Sequence, residues 1–288
     1  MKKFFAIVLT LALAASVFAG CGKKESQTSD EKALVKALVA AVSSQKVADF
    51  ISEKYSGAVV SVVEHPTDGF DASVDYKALS GKTITVAASP TPHAEILQVA
   101  KEILAEKNIE LKVIEYNDYI LPNEIVESGE VLANYFQHVP YLDDFNKEKG
   151  THIVSAAAIH VEPMGLYGGK QKSLDAVKGG SGFTVGVPND TTNEARALLL
   201  LEANGYLKLK EGAGITATVR DITENPYGLS FTEVEAAQLP RLLQDLDFAI
   251  INSNYAIDAG LDPVKESLII EGAASAYANI IAVKEGNN

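Results

Sequence analysis

The chain has 288 residues, 47% of them hydrophobic and 22% charged, with a single Cys and no Trp. These proportions fit a globular protein of one large or two modest domains with a sizeable core. A formal net charge of −13 argues against a nucleic-acid partner, because phosphate neutralisation needs clustered Lys and Arg, and no basic stripe offsets the acidic balance.

Residues 1–20 read as a signal peptide: Lys2-Lys3 is the positive n-region, FFAIVLTLALAASVF the apolar stretch, and Ala19-Gly20 the small residues before Cys21. The apolar stretch is too short for a comfortable membrane span. Cys21 resembles the lipid acceptor of a bacterial lipoprotein, with Phe18 where such motifs usually carry Leu; the alternative is a signal-peptide Cys lost on cleavage. The polar run that follows makes residues 21–30 a tether. Each buried lipid methylene contributes about 0.8 kcal/mol, so more than one acyl chain on Cys21 would anchor the protein to the extracytoplasmic face of the cell membrane.

Past the tether, apolar residues at Leu34, Val35, Leu38, Val39 and Val42, then Val47, Phe50 and Ile51, have the spacing of one or two amphipathic helices that Asp30 could cap. HPTDGFDAS, residues 65–73, is turn chemistry and reads as a linker. KTITVAAS alternates like a buried strand, and Thr91-Pro92 places a cap and an N1 proline before the helix HAEILQVAKEILAEKN. LKVIEY, THIVSAAAIHV, FTVGVPN, ITATVRDI, SFTEVE, FAIINSN and NIIAV read as further strands, with helices such as TNEARALLLLEANG between them. Strands alternating with helices predict an α/β architecture built on parallel sheet.

Signatures of catalysis are missing. There is no G-x-S-x-G, H-E-x-x-H or C-x-x-C, and GLYGGKQ lacks the spacing of a phosphate loop. His152 and His160, eight apart on one strand, are not a metal pair by spacing, so neither metal nor cofactor is expected. The stretch VPNDTTNEARALLLL carries a different chemistry: Thr191 and Glu194 fit a capping box. Arg196 then falls near the first turn, where the helix dipole disfavours a cation unless an anion uses both fields. Such an Arg is either solvated or faces a carboxylate ligand.

From ASPTPHAEIL through NDYILPN, ANYFQHVPYL, FNKEKG, HVEPMGLY, PNDTTNEARALLLL, ENP, VEAAQLPR and INSNYAIDAGL, the chain resembles the methionine-binding lipoprotein family (NlpA type) that serves bacterial ABC importers, over roughly residues 82–284. The resemblance implies a two-lobed, periplasmic-binding-protein-like (type II) fold with a ligand cleft between the lobes. The crossings would fall near HVEPMGLY and INSNYA. It implies that Tyr119, Phe136 and His138 line a methionine side-chain pocket, where sulfur against aromatic edges contributes about 0.3–1.5 kcal/mol. Because adjacent residues cannot both face one cleft, Phe136 is assigned to the cleft ahead of Tyr135. It further implies that Arg196 holds the ligand carboxylate in bidentate geometry and that Asn252 holds its polar end; Asn193 and Tyr255 are second choices. The partners implied are L-methionine or a close analogue and an importer permease and ATPase. The alternatives are an amino-acid-processing enzyme, for which His138 is the one plausible base without a Ser or Cys partner, and a surface lipoprotein that keeps the fold without transport.

The resemblance also orders the domains. Members continue past the strand matched by YANIIAV with a charged turn, a helix and a closing segment, which this chain carries instead at residues 31–63. The expectation is a circular permutation: 31–63 on the first lobe, 64–80 a linker, 81–163 the first lobe, 164–251 the second, and 252–288 a return to the first. Asn288 should then lie near Asp30, with Leu34, Leu38, Phe50 and Ile51 buried.

Overall fold

The computed structural model describes the backbone of residues 18–272 and 275–288, and side chains within them from residue 29, Ser275 apart. Most of the expected signal peptide and the thiol of Cys21 lie outside the described residues. The helices are α1 (Phe18–Val42), α2 (Gln45–Tyr55), α3 (Tyr76–Leu79), α4 (Glu95–Ala105), α5 (Leu121–Glu127), α6 (Val139–Lys149), α7 (Asp175–Gly179), α8 (Thr191–Ala203), α9 (Leu239–Leu242), α10 (Ser253–Asp258) and α11 (Pro263–Glu266). The strands are β1 (Val60–Ser61), β2 (Thr83–Ala88), β3 (Glu110–Glu115), β4 (Ala133–His138), β5 (Ile153–Val161), β6 (Gly165–Gly168), β7 (Thr184–Pro188), β8 (Lys208–Leu209), β9 (Ile222–Glu224), β10 (Ser230–Val234), β11 (Phe248–Ile251), β12 (Ser267–Ile270) and β13 (Asn279–Lys284). No described helix is long and apolar enough to cross a membrane.

Two sheets form the two lobes, in orders β1-β5-β13-β4-β2-β3 and β10-β7-β11-β6-β12. The strands joined by helices pair in parallel, β2 with β3 and β4 and β7 with β10 and β11, as right-handed crossovers require. Strands next to a lobe crossing, β6 and β13, pair antiparallel with their neighbours, so both sheets are mixed rather than purely parallel. The first crossing is residues 162–164, between β5 of one sheet and β6 of the other. The second is 271–278 and not INSNYA: after β11 the chain makes α10, turns at Gly260 (φ +84) and Asp262-capped α11, and adds β12 to the edge of the second sheet. Residues 252–288 are therefore split between lobes, because β12 finds its free edge beside β6 before the chain returns.

Local chemistry corrects several boundaries. Helix α1 includes the residues expected to form a tether and begins before Asp30, whose carboxylate pairs with Lys82 instead of capping. Ser44 caps α2 by accepting from Val47 N–H, and Ser56 ends it in the left-handed region (φ 48). Thr91 is extended (φ −121, ψ 135) and forms a cis bond to Pro92; α4 begins only at Glu95, after Ala94, so Thr91 is not its cap. In place of the strand expected at ITATVRDI the chain makes two 3-10 turns, the second closed by a Thr218–Asp221 capping box, before β9. ANYFQH, a strand not foreseen, is β4; it is buried throughout and so lacks alternation.

The helix pair at 31–55 is built into the first lobe. Leu34, Val35, Leu38, Val47 and Ile51 are buried in one cluster with Ile84 and Val86 of β2 and Ile96, Leu97, Ile103 and Leu104 of α4, with half-buried Phe50 against them. Thr67 ties the linker to this corner, donating from Oγ1 to Ala40 O at 2.6 Å and from N–H to Ser43 O at 2.9 Å. Lys32 Nζ donates to Asn288 O at 3.5 Å, two residues from Asp30.

Candidate functional site

Strand β4 splits its side chains between two environments. Tyr135 is fully buried beneath the sheet, while Phe136 turns into the cleft, its ring 5.7 Å from Tyr119 and 5.9 Å from Tyr141. His138, at the strand end, caps α6: its Nδ1 accepts from Tyr141 N–H at 3.2 Å, which leaves the ring proton on Nε2, 3.4 Å from Asn193 Oδ1. Burial, then the Arg196 charge, lowers its pKa to about 3, so the ring is neutral at physiological pH.

From the second lobe, Asp190 caps α8 by accepting from Asn193 N–H at 3.0 Å. The expected Thr191–Glu194 box is not formed; Glu194 accepts instead from Val219 N–H at 2.9 Å. Asn193 takes Asp190 on its amide side and Asn252 Nδ2 on its oxygen, at 2.9 Å. This leaves Asn252 Oδ1 buried without a partner among the described residues. Arg196 is buried, its Nε 3.0 Å from each Glu271 carboxylate oxygen and its Nη2 bonded to Oε2 and, at 2.9 Å, to Glu162 O. Bidentate geometry at Arg196 is thus already satisfied within the chain. The Tyr277 ring lies 4.2 Å from the guanidinium and 5.2 Å from His138, spanning both lobes.

Tyr119, Phe136, His138, Asn193, Arg196 and Asn252 line one pocket. Tyr255 does not; it lines the neighbouring cavity that shares Tyr119 and Tyr141, stacks on Tyr119 at 5.1 Å, and donates to Asn117 O at 2.9 Å. Tyr119 donates to Asn254 Oδ1 at 2.7 Å, and its own pKa is pushed well up by burial. Sequence reasoning missed Tyr141, Glu162, Asn254 and Asn279 in the lining. Of these, only Glu162 carried a signal: a lone acid between the apolar run AAAIHV and a proline.

Behind Glu162 lies a cluster that spacing along one strand could not reveal. His160 Nε2 stands 2.8 Å and His93 Nε2 3.3 Å from Glu162 Oε1; His160 Nδ1 bonds Tyr135 OH, and His93 Nε2 lies 2.9 Å from Asn279 Oδ1. Burial lowers the pKa of His93 to about 4 and of His160 to about 3, and raises that of Glu162. Among the described residues these three are the group of His, Cys, Asp or Glu side chains that could hold a metal ion; both imidazoles already engage the carboxylate. His152, by contrast, is exposed beside Glu127. The pocket therefore offers an aromatic wall, an orphan acceptor and a carboxyl group in the same lining, and a guanidinium: the parts needed for an apolar side chain, an ammonium and a carboxylate.

The sequence pattern of the NlpA lipoprotein family matches residues 84–288. The chain is 42% identical over 196 residues to the D-methionine-binding lipoprotein MetQ of Escherichia coli strain K12, covering 67% of this chain and 72% of that protein. It is 43% identical over 206 residues to the membrane lipoprotein TpN32 of Treponema pallidum strain Nichols, covering 72% and 76%. The solved structure of a nutrient binding protein from Burkholderia cenocepacia bound to methionine is similar, with a TM-score of 0.67 and 47% identity over 70% of this chain and 84% of that one.

Proposed function

Since the chain belongs to the NlpA lipoprotein family, we propose that it is an extracytoplasmic substrate-binding lipoprotein that captures methionine and delivers it to an ABC importer. The observation that carries this reading is the single pocket in which Phe136 and Tyr119 face Arg196 and Asn252 across the two lobes. The aromatics and neutral His138 take the thioether, Asn252 Oδ1 accepts from the α-ammonium, and Arg196 offers Nη1, which has no partner among the described residues, to the α-carboxylate. Asn193 orients Asn252 and His138 and is a positioning residue; Tyr255 holds Tyr119.

The importer's permease and ATPase are the partners, and lipid on Cys21 is the membrane link. A carrier rather than an enzyme is supported by Ser253, the serine in the lining, whose hydroxyl donates to Pro163 O and not to a base. Titration calorimetry of the delipidated, ligand-stripped protein against the twenty amino acids tests the reading: tight binding of methionine, recovered unaltered, is expected. A different preferred amino acid, or a conversion product, would overturn it.

The domain order belongs to the same reading. Residues 31–63 act as the family's closing segment moved to the N-terminus, supported by a family match that starts at residue 84 and by the burial of Leu34, Leu38 and Ile51 on the first lobe. A rearranged chain carrying residues 31–63 after Asn288 should fold and bind methionine as before; an unfolded product would refute it.

A further inference from the structure

Charge in the pocket is unbalanced in a way that ranks the two ends of an amino-acid ligand. Arg196 is neutralised by Glu271, which holds two of its nitrogens and is itself fixed by Met164 N–H at 3.1 Å. The guanidinium reaches Glu162 only at its main-chain carbonyl. The Glu162 side chain, buried in the lining, accepts from His160 Nε2 and the main-chain N–H of Asn254, while His93 Nε2, bonded to Asn279, stands 3.3 Å away and the Arg196 charge acts on it without a side-chain bond. The other anion near the site, Asp190, is taken up by Asn193 and Thr192. Burial raises the pKa of Glu162, so its charged form is costly until a cation pairs with it directly. In the same lining the buried Asn252 Oδ1 has no donor.

From this we infer that Glu162 and Asn252 form an ammonium subsite and that the ligand's ammonium is the required handle while its carboxylate is dispensable. The inference rests on the amino-acid reading of the pocket and deepens it. A free carboxylate meets a guanidinium that is already paired and the buried Glu162 side chain. A primary ammonium finds Glu162 as counter-charge, its ionised form favoured by the arriving cation, and Asn252 as a neutral acceptor. The ligand class extends accordingly from free α-amino acids to α-amino amides and peptides whose first residue supplies the ammonium and the apolar side chain. His93 and His160 are positioning residues that aim the carboxylate without adding charge.

The test compares three forms of whichever amino acid binds tightest in calorimetry: the free amino acid, its amide, which keeps the ammonium and lacks the carboxylate, and its N-acetyl derivative, which does the reverse. The identity of that amino acid tests the methionine reading, and the order of the three forms tests this inference. The amide should bind within about tenfold of the free amino acid and the N-acetyl form about a hundredfold or more weaker, the loss expected when a buried charge goes unpaired. In Glu162→Gln that gap should close as the free amino acid weakens. An N-acetyl form that binds as well as the amide overturns the inference, as does a Glu162→Gln variant that is folded by circular dichroism and keeps the wild-type order. If Glu162→Gln does not fold, the wild-type comparison decides alone; absence of binding by every amino acid overturns both readings.

Discussion

Replacing Leu38 with Ala tests whether the N-terminal helix pair is part of the first lobe or an attached appendage. Leu38 is fully buried, in one cluster with α2, α4 and β2. The substitution removes three carbons at about 0.8 kcal/mol each, about 2.4 kcal/mol of transfer free energy. The cavity left behind adds to this, because α1 is held on several sides and cannot collapse into the space, so the loss should fall in the 2–5 kcal/mol range typical of buried Leu→Ala. Urea unfolding followed by far-ultraviolet circular dichroism reads the change as a lower midpoint at constant slope. The melting temperature should fall by about 5 °C for a 3 kcal/mol loss in a chain of this length. Leu121→Ala is the control, since Leu121 is 44% exposed and should stay within about 0.5 kcal/mol of wild type. A Leu38→Ala protein as stable as that control would refute the docking of α1 on the lobe.

Arg196→Ala should destabilise the ligand-free protein by about 3–5 kcal/mol, because it leaves Glu271 without its partner in a largely buried site; an unchanged ligand-free melting temperature would show that this pair does not form. Phe136→Ala should weaken methionine by at least about tenfold more than alanine or serine, since it removes apolar wall and not the polar end; equal losses for all three ligands, measured by calorimetry, would put Phe136 outside the side-chain pocket. His138, with its pKa lowered to about 3, should keep an unshifted ring resonance in proton NMR from pH 8 to pH 5, and a midpoint near 6.5 would contradict its burial. Linkage gives the accompanying stability sign: the unfolded chain takes up this proton first, so the His138 contribution is constant above about pH 6.5 and falls as pH drops from there toward 3.

The amphipathic stripe through Leu34, Leu38 and Ile51 made the helices and their buried face legible in the sequence, because a 3.6-residue period has one meaning on a helix. The alternation in KTITVAAS did the same for β2. Motif resemblance pointed to residues that line one pocket, Tyr255 excepted, and Tyr135 and Phe136 were separable because adjacent side chains cannot both face one cleft. Other features depended on contacts between residues distant in sequence. The uniformly apolar and amide-rich β4 has no alternation to read, and β12 became a strand only because β6 presented a free edge. Likewise, the helix position of Arg196 left a solvated and a carboxylate-facing reading open and the resemblance implied a carboxylate receptor, but its bidentate edge is held by Glu271, 75 positions later. The cluster of His93, His160 and Glu162 joins α4's approach to the end of β5 across the lobe. Periodicity reports the faces of a single element, whereas charge pairing and desolvation depend on which elements meet, and that is settled only when both lobes have folded against each other.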